Sequence, residues 1–64
     1  MIDEPLLQFF SFAHLPPHLQ KVSEPFHKLA LDIVQNTPRN PERTVALRKL
    51  LESEDCTVRA VLYV

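Results

Sequence analysis

A chain of 64 residues with 45% apolar content and a formal net charge of -1 makes one small domain, and a length like this buries only about 60% of the surface its unfolded form exposes. The near balance of 7 basic and 8 acidic residues offers no bulk attraction for duplex nucleic acid, and no apolar run approaches the roughly 18 residues of a membrane span. The single cysteine, Cys56, excludes an intrachain disulfide, and with His14, His18 and His27 it forms no metal set of recognisable spacing, which leaves self-association as the remedy for a small core.

Glycine is absent and six prolines carry all the punctuation. The start, Met-Ile-Asp-Glu-Pro, is acidic and unlike a secretory leader, so a cytoplasmic chain is expected; a free thiol is unremarkable there. Asp3-Glu4-Pro5 reads as a helix start, with Asp3 as cap and proline in the first turn. The segment after it, Leu6-Leu7-Gln8-Phe9-Phe10-Ser11-Phe12, is apolar on nearly every side. Pro16-Pro17 forbids its continuation, because each proline lacks an N–H and restricts the residue before it. Residues 1–16 therefore form an N-terminal arm, a short helix or an extended segment. Too greasy to be left in water, it must dock on its own chain or on a neighbour.

From Leu19 the period becomes helical. Leu19, Val22, Phe26, Leu29, Ala30, Ile33 and Val34 recur at steps of three and four and form one stripe of a helix over 17–36. Pro25 lies inside it, and Ser23-Glu24-Pro25 resembles a cap with proline in the first turn. The spacing thus predicts a short turn from Pro17 to Val22, a kink, and a longer helix from near Ser23. Residues Gln35 to Asn40 make the turn: Pro38 stops helix one, and Asn40-Pro41-Glu42 starts the next with cap, N1 proline and first-turn acid. Helix two spans 41–62 with Val45, Leu47, Leu50, Leu51, Val58, Val61 and Leu62 as its stripe, interrupted by Glu54 and Asp55. A short connection forces the two helices antiparallel. The class is all-α: an antiparallel two-helix hairpin with an N-terminal arm, a single domain over 1–64. Two amphipathic helices cover each other on one face only, so copies of the chain are the expected partner, as a homo-oligomer.

Two segments carry candidate chemistry. Arg39-Asn40-Pro41-Glu42-Arg43-Thr44, with Arg48 and Lys49 a turn further, sets arginines beside the unpaired N–H groups of a helix start. That is either an anion site or a solvated turn. Phe12-Ala13-His14-Leu15-Pro16-Pro17 is either a flat wall for stacking a base or a hydrophobic staple into the hairpin. Cys56, without an activating base nearby, reads as a small buried or half-buried helix residue. His27 and Lys28 read as helix surface, and Glu52, Glu54 and Asp55 as a solvated face. No nucleophile, base and orienting group occur together, so neither catalysis nor a cofactor is expected.

The stretch from Phe12 to Ala60 resembles the helical hairpin of phage anti-CBASS sponges and related anti-Thoeris proteins, over roughly three quarters of the chain. The resemblance is carried by Phe12-Ala13-His14-Leu15-Pro16-Pro17, by Leu29-Ala30, by Pro38-Arg39-Asn40-Pro41-Glu42-Arg43-Thr44-Val45-Ala46-Leu47, and by Leu51-Glu52 with Ala60. It implies a compact homo-oligomer, hexameric in the best-known members, with pockets between protomers that hold cyclic di- or trinucleotides without hydrolysing them. It also implies base stacking at the place of His14, where the family often has tyrosine, and equates Thr44 and Glu42 with the hydroxyl and acid of the family's turn motif. Where the family carries basic residues early in helix one, Lys21 or Lys28 has to stand in; Pro41 replaces a frequent arginine. The expected ligand set is Phe12, His14 and Pro16 over the bases, Arg39, Arg43 and Arg48 at the phosphates, and Thr44 and Lys28 beside them. The alternative is a small homo-oligomeric helical interaction protein with no nucleotide ligand.

Overall fold

The computed structural model describes residues 4–64; the expected cap Asp3 lies outside them. Every element among the described residues is helical. A 3₁₀-helix, Pro5–Phe10, is followed by α1 (Pro17–Asn36) and α2 (Pro41–Leu62). Glu4 caps the first of these, its carboxylate accepting from Leu6 N at 3.3 Å. At six residues it is long for a 3₁₀-helix, and it ends well before the diproline.

α1 opens on Pro17 with Leu19 N and Gln20 N donating to Pro16 O at 2.9 and 3.0 Å. It is unbroken through Pro25, which corrects the expected restart at Ser23. The missing proline N–H falls on the exposed side, where water can serve the carbonyl of exposed Lys21. Buried Leu19, Ser23 and Ala30 bracket the proline on the inner face and hold the helix continuous through it. At the far end Asn36 Nδ2 and Thr37 Oγ1 donate back to Asp32 O and Ile33 O at 2.7 and 2.6 Å, satisfying carbonyls the helix leaves open. α2 then starts as its sequence dictates, with Asn40 Oδ1 accepting from Arg43 N at 2.9 Å.

α1 and α2 lie against each other in opposite directions: Arg43 reaches Val34 near the turn, and Glu54 meets Ser23 near the open end. The arm docks on its own hairpin. Leu6 and Phe10 join Ala30 and Leu47 in one core, with Phe26, Ile33, Val34, Leu50 and Leu51 packed around it. Phe10 is wholly buried; Phe9 is mostly exposed. Several residues of the expected stripes point outward instead, and Leu29, Val45, Val61 and Leu62 are each about half exposed. With one layer on each side, the hairpin has too little surface to cover them. The molecule measures 39 × 20 × 15 Å with a radius of gyration of 12.2 Å, against roughly 10.7 Å for a compact chain of this length. Among the described residues no helix is long and apolar enough to cross a membrane.

Candidate ligand-binding cleft

The buried polar groups lie at the two ends of the apolar core. At the turn end, Arg43 is buried. Its Nη2 pairs with Glu4 Oε1 at 2.9 Å, and both side chains are almost fully covered. Its Nη1 donates to Thr37 O at 3.2 Å and more loosely to Val34 O at 3.5 Å. One guanidinium thereby ties the arm to the hairpin and caps the negative end of α1. That corrects the expectation of Arg43 as a phosphate ligand, since its terminal nitrogens are spent inside the chain. Beside it lies a hollow of about 260 Å³ walled by Ile33, Pro38, Asn40, Glu42 and Ala46.

At the open end Ser23 of α1 and Glu54 of α2 are buried, 1% and 4% exposed. Glu54 was expected on a solvated face. It lies on the inner stripe instead, seven residues beyond Leu47, two helical turns along the same side. Burial raises its carboxyl pKa, Asp55 adds to the rise, and the Ser23 hydroxyl and His27 pull the other way. Serine and carboxylate are neighbours without closing a hydrogen bond of ordinary geometry: Ser23 Oγ, Glu54 Oε1 and His27 Nδ1 are all buried without a partner. His27, expected on the surface, is half-buried, and Phe12 packs edge-on against it, ring centroids 5.3 Å apart at 61°.

Ser23 and Glu54 form part of the lining of an open cleft of about 450 Å³, whose other walls are the apolar Phe9, Leu15 and Val58, the polar Gln8, Ser11 and His14, and the charged Asp55 and Arg59. The volume is in the range of small-molecule sites, and polar and charged side chains outnumber the three apolar ones in its lining. The loop that carries His14 is held by Gln20, whose Nε2 donates to Leu15 O at 2.7 Å and Ala13 O at 3.3 Å. Gln20, Ser23, Glu54 and Arg59 were not among the expected site residues. The signal for Glu54 was present as the acid that breaks the stripe of helix two; nothing local marks Gln20.

Of the expected set, only His14 lines this cleft, and it is exposed. Phe12 is turned onto His27. Pro16 is exposed at the start of α1, and Lys28, Arg39 and Arg48 are exposed on α1, the turn and α2. Thr44 is half-buried, its hydroxyl 3.4 Å from Asn40 O in its own first turn. The length of α1, roughly 30 Å for its 20 residues, separates the arginines of the turn from His14, so one chain does not bring the two halves of the expected site together. Cys56 is exposed, a correction: it sits two residues from Glu54, about 200° around α2, and accepts from Arg59 Nη2 at 3.3 Å. Among the described residues no three His, Cys, Asp or Glu side chains gather as a metal set.

No protein-family model, curated protein or solved structure matches the chain.

Proposed function

We propose that the protein is a self-associating helical hairpin that captures cyclic oligonucleotide second messengers without cleaving them, a sponge of the kind that blocks CBASS-type antiphage defence. The observation that carries this reading is the open-end cleft: Phe9, Leu15 and Val58 as apolar surface, exposed His14 and Arg59 in the lining, and Ser23 and Glu54 with buried polar atoms that lack partners. A cyclic dinucleotide offers flat bases that suit the apolar surface, phosphates that suit Arg59, and base N–H edges that suit the acceptors Glu54 and Asp55. The sequence resemblance supplies the ligand class.

Self-association supports the reading twice. It covers the half-exposed Leu29, Val45, Val61 and Leu62. It also supplies what one chain lacks, because a copy running the opposite way sets its turn, with Arg39 and Arg48, beside the His14 end of its partner. Sequestration requires tight, largely enclosing contact and no chemistry.

The test is calorimetric titration of the purified protein against cyclic di- and trinucleotides, with linear dinucleotides and cyclic ADP-ribose as controls, followed by recovery of the ligand. Tight binding of a cyclic member, recovered intact, is the expected result. Silence across the panel overturns the proposal and favours the second reading, a helical interaction protein, for which the same exposed apolar side chains speak.

A further inference from the structure

Among the described residues, three of the four buried side-chain polar atoms left without a partner gather at one end of the core: Ser23 Oγ, His27 Nδ1 and Glu54 Oε1. Leaving such groups unpaired is destabilising, yet two of the residues that carry them, Ser23 and Glu54, line an open cleft between α1 and α2. Beside buried Leu19, Ala30 and Leu47, these positions would gain stability from apolar side chains. Their chemistry says what would satisfy them. A carboxylate accepts and cannot donate; a serine hydroxyl accepts and donates. The complement is a planar group that presents adjacent N–H donors along one edge and flat apolar faces to its sides.

We propose that Glu54 and Ser23 read the donor edge of a guanine base, its N1–H and 2-amino group, inserted edge-first into this cleft with Leu15 and Val58 along its faces and His14 at the mouth. The inference rests on the nucleotide reading above and names the base that reading leaves open. Acidic side chains recognise amino edges of bases in this way, and enzymes that grip a single base combine edge hydrogen bonds with contact on both faces. Burial and the Asp55 carboxylate make the charge on Glu54 costly when the cleft is empty, while the Ser23 hydroxyl and His27 favour it. A pair of N–H donors adds to the favourable side. Adenine does not: its N1 is an acceptor, and set against a carboxylate it brings two lone pairs face to face. Exposed Arg59 and His14 line the same cleft and can meet the ribose and phosphate of an inserted guanosine, beside the Asp55 carboxylate.

The experiment compares cyclic di-GMP, cyclic di-AMP and their inosine counterpart on the full-length protein and on two variants, Glu54→Gln and Ser23→Ala, each first shown to keep its helical circular dichroism. The expected result is a preference for the guanine ligand over the adenine one of tenfold or more, the scale of one good bidentate base contact. The inosine ligand, lacking the 2-amino group, falls between them. Glu54→Gln lowers affinity for the guanine ligand about tenfold or more and does not weaken the adenine ligand, for which an amide is the better partner; Ser23→Ala lowers affinity for the guanine ligand more weakly. Binding that ignores the base, or that survives both variants undiminished, overturns the guanine assignment while the sponge reading stands. Binding of none of the three by the unmodified protein, with none of the wider panel bound, overturns both.

Discussion

Arg43 and Glu54 stand on the inner stripe of α2 at positions where the period calls for a leucine, four residues before Leu47 and seven after it. Both were visible in the sequence as charged residues. Their burial was not, because it depends on partners far along the chain: Glu4 is 39 residues from Arg43. No local pattern announces such a pairing. Breaking a buried ion pair by neutralising one member leaves the other charge stranded, at a cost of about 3 kcal/mol or more, a large share of what a domain this small holds in reserve. Glu4→Gln is therefore predicted to lower the urea midpoint severely. The exposed Lys49–Glu52 pair, 3.6 Å apart, provides the control at the same protein concentration: Glu52→Gln is predicted to change stability by less than about 1 kcal/mol. Equal effects from the two variants would mean that the Glu4 contact contributes nothing special.

At the scale of elements, the punctuation was legible and the continuity was not. Asn40, Pro41 and Glu42 satisfy cap, first turn and dipole within four residues, so the start of α2 at Pro41 could be read directly. Pro25 misled, because a proline preceded by Ser-Glu looks like a helix start. The packing of Leu19 and Ser23 on one side of it and Ala30 on the other overrides that local signal. The override has a cost of about 3 kcal/mol for an interior proline. Pro25→Ala restores a donor to the carbonyl of Lys21 at an exposed position. It is predicted to stabilise the protein by about 1–3 kcal/mol, seen as a higher melting temperature by circular dichroism. A lower one would show that the proline is part of how α1 fits α2.

The whole molecule is a rod, 39 Å long and 15 Å thin. The sequence made the hairpin and its antiparallel sense readable, and left the home of the arm open. The docking of Phe10 between the helices fills the core and still leaves Phe9, Leu29, Val45, Val61 and Leu62 in water. If copies cover these side chains, stability is linked to association. The melting temperature is then predicted to rise with protein concentration, and Leu29→Lys or Val45→Lys to lower the mass measured by sedimentation equilibrium while helicity is retained in the variants. A concentration-independent transition together with a monomer mass would reject this.

The two unlike polar groups at opposite ends of the core also act as an index mark. Helices faced with leucine and alanine alone can slide past one another by a turn at little cost, since each apolar ridge meets another much like it. Here a slide of one turn, about 5.4 Å, would carry the Arg43 guanidinium away from Glu4 and the Thr37 carbonyl, and push the Glu54 carboxylate against hydrocarbon. The misaligned hairpin is thus penalised at both ends at once, in opposite charges, and only one alignment of α1 on α2 keeps the carboxyl at the cleft.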